Sequence, residues 1–218
     1  MYIDFTKREI ICFIVYCGSS FTGKSTSIRH IYEIFQNTNS NLAEININNL
    51  INGEIIIKKY GNYGFAIEAD IIVPTMKIPD DEYISDFNLV FRLQSTIGNC
   101  AKKPFNKVML SAADAIIFVA DSREYKMDLN QYSKYEMTQF LSEIGRDLNK
   151  VPYALQLNFR DAEPGDLLSV DELLKELRHN NEPYFEAIAY KGVGVIETFN
   201  YISKIVFQNL QDNLNKYY

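Results

Sequence analysis

Apolar residues along this chain fall into two rhythms: short runs or alternations, and longer stripes at helical spacing. Ile10–Cys17 and Ala115–Ala120 are nearly continuous apolar runs, suited to parallel strands covered on both faces. Phe87–Leu93 alternates as a strand does, and Val151–Leu157 and Tyr184–Ala189 are predicted as further strands. Helical patterns lie between them. One runs from Lys24 to about Gln36 through Ile28, Ile31, Tyr32 and Ile34 or Phe35. A second covers Tyr132–Leu148, with Tyr135, Phe140, Leu141 and Ile144 on its predicted apolar side. A third, Val195–Leu214, carries Phe199, Ile202, Ile205, Val206 and Leu210. Val170–Leu177 is a short helix announced by Ser169 with Glu172 three residues on, the capping-box spacing.

The stretch before Ala115 is less regular. Two β-rich runs, Glu54–Tyr60 and Phe65–Val73, flank Gly61-Asn62-Tyr63-Gly64, a hairpin signal. Asn37–Asn49 is rich in Asn, Thr and Ser and reads as a surface connection, and Pro74 and Pro79 bracket a polar loop to Ser85. Alternation of strands and helices predicts an α/β, doubly wound and mainly parallel sheet, with the hairpin as an antiparallel edge.

The chemistry begins where the first strand meets the first helix. Gly18-Ser-Ser-Phe-Thr-Gly23-Lys24-Ser25 fits G-x-x-x-x-G-K-[ST] without a gap. Average residue usage gives such a match by chance in roughly one chain in a hundred of this length. Gly18 lets the chain leave the strand sharply, and Gly23 lets backbone N–H groups close around phosphate oxygens. Lys24 supplies a point charge, the Ser25 hydroxyl suits Mg²⁺, and the helix N-terminus favours the same anion. The phosphate-binding set is therefore Gly18, Thr22, Gly23, Lys24, Ser25 and Thr26.

Composition narrows the partners. At 218 residues, 47% apolar, the chain can bury an ordinary core. A net charge of −6 without a local Lys/Arg cluster argues against nucleic acid and anionic membrane surfaces. Cys12, Cys17 and Cys100 show no metal spacing and read as reduced cytoplasmic thiols. His30 and His179 are too far apart in sequence to suggest a metal site. No signal-peptide pattern, membrane-length apolar stretch or lipidation motif is present, so direct membrane insertion is not expected.

A phosphate loop alone serves kinases, ATPases and GTPases. Leu157-Asn158-Phe159-Arg160-Asp161 narrows this class, because GTPases place N-K-x-D at such a strand end. Asp161 can accept from guanine N1–H and the exocyclic amine, a pattern adenine does not offer; such mismatches discriminate by about 10⁴-fold. Asn158 would brace the loop and touch the purine, and Phe159 stands where the motif has Lys. The aliphatic stem of that Lys covers the base, and a Phe ring can cover it by stacking. Alone, the stretch also reads as an Asx-rich turn. Ala189-Tyr190-Lys191-Gly192, again after a strand, stands where GTPases offer a backbone N–H to guanine O6. Asp121, ending the central strand, is a candidate supporting group for Mg²⁺ or the loop, or a plain strand-ending Asp.

Several blocks together resemble the MglA-type bacterial Ras-like GTPases, which control gliding motility and cell polarity. They are Arg8-Glu9-Ile10, Ile14-Val-Tyr16 with Gly18, Gly23-Lys24-Ser25, His30-Ile31-Tyr32 and Phe118-Val-Ala-Asp-Ser122. Asp147-Leu-Asn-Lys150 with Pro152-Tyr153, Asn158 with Arg160-Asp161, and Gly192-Val-Gly-Val195 continue the likeness. It is weakest from about Asn37 to Lys107. The resemblance implies one P-loop, Ras-like G domain over residues 1–218, expanded in the switch I and hairpin region at about 37–86. It also implies GTP/GDP and Mg²⁺ as ligands, a roadblock-fold, GAP-like regulator, and downstream polarity and motility effectors.

The switch residues depart from the family. Its pattern T-x-P-G-Q reads here Ser95-Thr96-Ile97-Gly98-Asn99. Gly98 keeps the backbone N–H that would sense a γ-phosphate, whereas Asn99 is one methylene shorter than the Gln that orients water. Positioning dominates phosphoryl transfer, so this implies slow hydrolysis at best. If Asp70 and Pro74 align with the family's acidic and proline positions, Phe65 and Ala66 replace the switch I Arg and Thr, with Thr75 a loosely aligned stand-in. Arg92 could approach the phosphates, although a paired strand arginine is the commoner case.

Three readings stay open at this level. The leading one is a guanine-nucleotide switch with impaired GTPase activity. The second is a pseudo-GTPase scaffold whose nucleotide is absent or structural. The third, a small-molecule kinase, lacks an arginine-rich lid. The aromatic residues are mostly packing, with Tyr60 and Tyr63 a conceivable partner patch.

Overall fold

The computed structural model describes residues 1–37, 55–59, 65–73, 87–98 and 103–214. The strands are β1 (Tyr2–Asp4), β2 (Glu9–Cys17), β3 (Ile55–Lys59), β4 (Phe65–Val73), β5 (Asn88–Ser95), β6 (Ala115–Asp121), β7 (Tyr153–Asn158) and β8 (Tyr184–Glu186). The helices are α1 (Lys24–Asn37), α2 (Lys103–Ala112), α3 (Met127–Glu143), α4 (Val170–Leu177) and α5 (Val195–Leu214). They make a sheet ordered β3-β4-β5-β2-β6-β7-β8, with β1 added antiparallel to β2. Neighbours from β5 through β8 run parallel, while β3 and β4 are antiparallel to each other and β4 is antiparallel to β5.

The strand pleat divides the core in two. Ile14, Tyr16, Ile117 and Val119 face α1 and α5, joining Ile28, Ile31, Phe199, Ile202, Val206 and Leu210. Their neighbours Val15, Cys17, Ile116 and Phe118 face the other layer, against Leu110 of α2, Met137 and Leu141 of α3, and Leu173 and Leu177 of α4. A continuous apolar run is what a strand covered on both faces requires. Burying each large side chain of these layers contributes about 2 kcal/mol.

Most predicted elements appear with shifts of one or two residues at their ends, among them the antiparallel hairpin, the buried central strand and the Ser169 cap. Ser169 Oγ accepts from Glu172 N at 3.2 Å, and the Glu172 carboxylate accepts from Ser169 N at 2.9 Å. Three expectations are corrected. The helix predicted over Tyr132–Leu148 runs over Met127–Glu143, and Tyr135 is 60% exposed rather than on the buried side. The buried side includes Asn130, whose amide bonds both backbone groups of Asp121, at 3.1 and 2.8 Å. The last strand stops at Glu186, before a short 3₁₀ turn over Ala189–Lys191. Neither β1 nor α2 was expected; α2 opens with Lys103-Pro104, and proline is tolerated in the first turn, where the N–H has no helical partner.

The connection at Asn37–Asn49 beyond its first residue, the turn Gly61–Gly64, and the loop from Pro74 to Ser85 lie outside the described residues. So do Tyr60, Thr75, Asn99 and Cys100. Among the described residues, no helix is long and apolar enough to cross a membrane.

Candidate functional site

Strands β2, β6 and β7 all end at one edge of the sheet, with Tyr16 paired to Ile117, Cys17 to Phe118 and Asp121 to Asn158. Loops following such carboxyl ends form the usual ligand crevice of parallel α/β sheets. The phosphate loop is the first of them. Its two framing glycines hold left-handed backbone, Gly18 at φ +138° and Gly23 at φ +99°. A Cβ on Gly18 would lie 2.3 Å from Val119 O, and one on Gly23 would lie 2.1 Å from Asn158 Nδ2, so neither position admits a side chain. Phe21 also sits at positive φ, with its ring 88% exposed at the loop tip.

Lys24 is only 5% exposed and donates from Nζ to Gly18 O at 2.9 Å and Ser19 O at 2.5 Å. Burial pushes its ammonium down to about 8, opposed by the nearby Cys17 sulfur. Thr22 is buried and donates to Ser19 O at 3.2 Å; Ser25 is half-buried and Thr26 exposed. Ser27 on α1 accepts from Gln156 of β7 at 2.8 Å, fixing the helix over the sheet.

Asn158 ties the loops together. Its Nδ2 donates to Thr22 O at 2.7 Å, and its Oδ1 accepts from Ala189 N at 2.8 Å. One amide, 2% exposed, therefore joins the phosphate loop to the 3₁₀ turn after β8. Gly192 closes that turn at φ +77°; a Cβ there would lie 1.8 Å from His30 Nε2, which places His30 of α1 against the turn.

Beyond Asn158, Phe159 takes φ +63° and Asp161 turns toward the neighbouring loop. Asp161 Oδ2 accepts from the Tyr190 hydroxyl at 2.6 Å and from Lys191 Nζ at 3.2 Å. The Tyr190 hydrogen bond, then Lys191, holds the carboxyl below its ordinary range. Asp161 is thus ionised and oriented, with acceptor capacity for two donors of a planar base.

On the other flank, Ile97 is clamped to α2 by Asn106: Ile97 N donates to Asn106 Oδ1 at 2.9 Å, and Asn106 Nδ2 donates to Ile97 O at 2.8 Å. A Cβ on Gly98 would meet Ser20 N at 2.4 Å, so the Gly98 backbone lies directly on the phosphate loop. Arg92 is bound to Asp70 through two contacts, Nε–Oδ1 at 2.7 Å and Nη2–Oδ2 at 2.6 Å, and is a paired sheet arginine. Asp121, 1% exposed, grips Arg123 in the same manner at 2.9 and 2.6 Å.

Along its sequence the chain is 32% identical over 212 residues to "Mutual gliding-motility protein MglA" of Myxococcus xanthus (strain DK1622), covering 96% of this chain and 97% of that protein. The chain belongs to the MglA family. No family profile matches it. As a divergent MglA-type protein it has the Ras-like P-loop fold, with β3 paired to β4 at the outer edge of the sheet.

The family implies a guanine nucleotide and Mg²⁺, and the residues present suit both. The cradle between Gly18 and Gly23 excludes side chains, and buried Lys24 donates to the Gly18 and Ser19 carbonyl oxygens. Ser19 Oγ is buried without a hydrogen-bond partner among the described residues. Among the described residues no group of three or more His, Cys, Asp and Glu side chains could hold a metal. The Ser25 hydroxyl of the phosphate loop suits Mg²⁺, an ion commonly held by substrate phosphates, waters and one or two protein ligands. Asp121 is engaged by Arg123 through both oxygens. Sequence reasoning missed Arg123, Tyr190's bond to Asp161, Asn106 and His30. Of these, Arg123 carried a local signal, a cation two residues from Asp121, and the Tyr190-Lys191 pair offered two donors in the loop after β8.

Proposed function

We propose that this chain is a guanine-nucleotide-binding switch of MglA type that acts by presenting its switch surface to partners and hydrolyses GTP slowly. One observation carries the reading: Asn158 joins the Thr22 carbonyl of the phosphate loop to the Ala189 N–H beside the base site. Phosphates and base would then be read by one hydrogen-bonded unit. In that reading Gly18, Thr22, Gly23, Lys24, Ser25 and Thr26 hold the phosphates, and Gly98 senses the outermost one. Asn158, Phe159, Asp161, Ala189 and Tyr190 surround guanine. Mg²⁺, when bound, neutralises phosphate charge beside Ser25.

Slow hydrolysis rests on Asn99 in the water-orienting position and on Arg92, whose fork is engaged by Asp70. The M. xanthus relative, a gliding-motility protein by name, supports a role in motility. A cytoplasmic location, polarity effectors and a roadblock-fold regulator complete the proposal.

The test is calorimetric titration with GDP, GTP and ATP, with and without Mg²⁺, beside Lys24→Ala. Submicromolar guanine binding that Lys24→Ala abolishes is the expected result; preference for ATP would break the role of Asp161. Single-turnover cleavage at the rate of an efficient GTPase would refute impaired hydrolysis. A pseudo-GTPase scaffold is the second reading, favoured by the satisfaction of Lys24 through Gly18 and Ser19 carbonyls. Folded protein that binds no nucleotide would establish it.

A further inference from the structure

The motif's lysine is replaced by Phe159, and the surroundings of that ring carry more than a substitution. Arg123 enters from the loop after β6, on the opposite side of the Asn158–Asp161 segment from Tyr190 and Ala189, because β7 lies between β6 and β8 in the sheet. Its guanidinium carbon lies 4.3 Å from the centre of the Phe159 ring and 5.2 Å from that of Tyr125. The guanidinium therefore lies over the Phe159 ring and also close to Tyr125.

It is also fixed at both ends. Its fork meets both oxygens of Asp121 at 2.9 and 2.6 Å, and its backbone N donates to Asp121 Oδ1 at 3.1 Å. Asp121 is in turn pinned through its own backbone N–H and carbonyl by Asn130 of α3. An isolated bridge to Leu167 holds the Arg123 backbone. A flexible, exposed arginine would offer little order to a neighbour. This one is about three-quarters covered and paired to a fully buried carboxylate.

From this geometry we propose that Arg123 is a positioning residue for guanine, holding the Phe159 ring as a fixed stacking platform through the chain Asn130–Asp121–Arg123. The inference rests on the guanine-nucleotide reading above. A lysine in the motif lays its own stem along the base and needs no support. A phenylalanine at positive φ turns about two side-chain bonds, and its stacking contributes only when the ring is held at one angle. The guanidinium on one face supplies that constraint, and its charge on the ring quadrupole adds to the hold. The other face is left to the base.

The test compares GDP and inorganic pyrophosphate by calorimetry in wild type, Arg123→Gln and the double variant Asp121→Asn/Arg123→Gln. The double variant removes the cation without stranding a buried carboxylate, so it stays informative if the single variant folds poorly. Both should lose GDP affinity by about tenfold while pyrophosphate, which has no base, changes less than about twofold. In a Phe159→Lys background, the same Asp121→Asn/Arg123→Gln change should leave GDP affinity within about twofold. Equal losses for GDP and pyrophosphate, or equal losses with and without the Phe159→Lys change, would show a general structural role and overturn the proposal. Unchanged GDP affinity would overturn it too. Wild-type protein that does not bind GDP would instead bring down the nucleotide reading itself, and this inference with it.

Discussion

Replacing Asn158 by alanine asks whether phosphate loop and base loop are one unit. The side chain is 2% exposed and makes two bonds, to Thr22 O at 2.7 Å and from Ala189 N at 2.8 Å. Alanine removes both partners and leaves a buried backbone carbonyl and a buried backbone N–H unpaired by that side chain. Each stranded group costs about 1–3 kcal/mol, and loops at the sheet edge relax enough for water to recover part of it, giving a net loss of about 2–4 kcal/mol. Urea unfolding without nucleotide reads that loss as a lowered midpoint at unchanged slope. Nucleotide binding suffers separately, since two loops must now be ordered by the ligand alone. A loss of about 2 kcal/mol there is about 30-fold in GDP affinity. Stability within about 0.5 kcal/mol of wild type, together with GDP affinity within about threefold, would refute the claim that this amide holds the site together.

Further predictions concern charge, strain and thiols. Lys24 titrates near 8 folded against its ordinary 10.5, so between these values the unfolded chain keeps a proton the folded chain has released, and stability rises with pH. Cys12 and Cys17, pushed by burial from 9.0 up to about 12, reverse the sign above pH 9, because there the folded chain keeps protons the unfolded one loses. From pH 8 to 9 Lys24 adds about 1 kcal/mol while the two thiols take away about 0.7, so wild-type stability in urea unfolding should rise by only about 0.3 kcal/mol, and Lys24→Met should turn this into a fall of about 0.7 kcal/mol. Gly192→Ala forces a Cβ at φ +77° to within 1.8 Å of His30 Nε2 and should cost about 2–3 kcal/mol in unfolding experiments. Adding His30→Ala should recover the steric part and leave about 1 kcal/mol of backbone strain. In a Cys100→Ser background, Cys12 and Cys17 should react with an aromatic disulfide at pH 8 at least about 100-fold more slowly folded than unfolded, followed by absorbance.

What the sequence determined by itself was whatever depends on neighbours along the chain. The G-x-x-x-x-G-K-S spacing sits between a strand and a helix, the Ser169–Glu172 cap closes on itself, and the stripe of α5 from Phe199 to Leu210 follows helical geometry. The central strands were equally plain, because a strand covered on both faces must be apolar at every position. Tertiary structure alone decided the rest. Asn130 counts as polar in any pattern, yet it is buried to bond Asp121. Of the predicted apolar side of α3, Phe140, Leu141 and Ile144 pack against the core, whereas Tyr135 is left in solvent. Strand β1 is only three residues long and exists through its ladder with β2. The partners of Asp161 and Asn158 come from separate loops, and only the order of strands in the sheet brings those loops to one edge. A carboxylate such as Asp161 shows in the sequence that it can accept hydrogen bonds; that Tyr190 and Lys191 supply them is settled by the fold, which lays the loop after β8 beside the loop after β7.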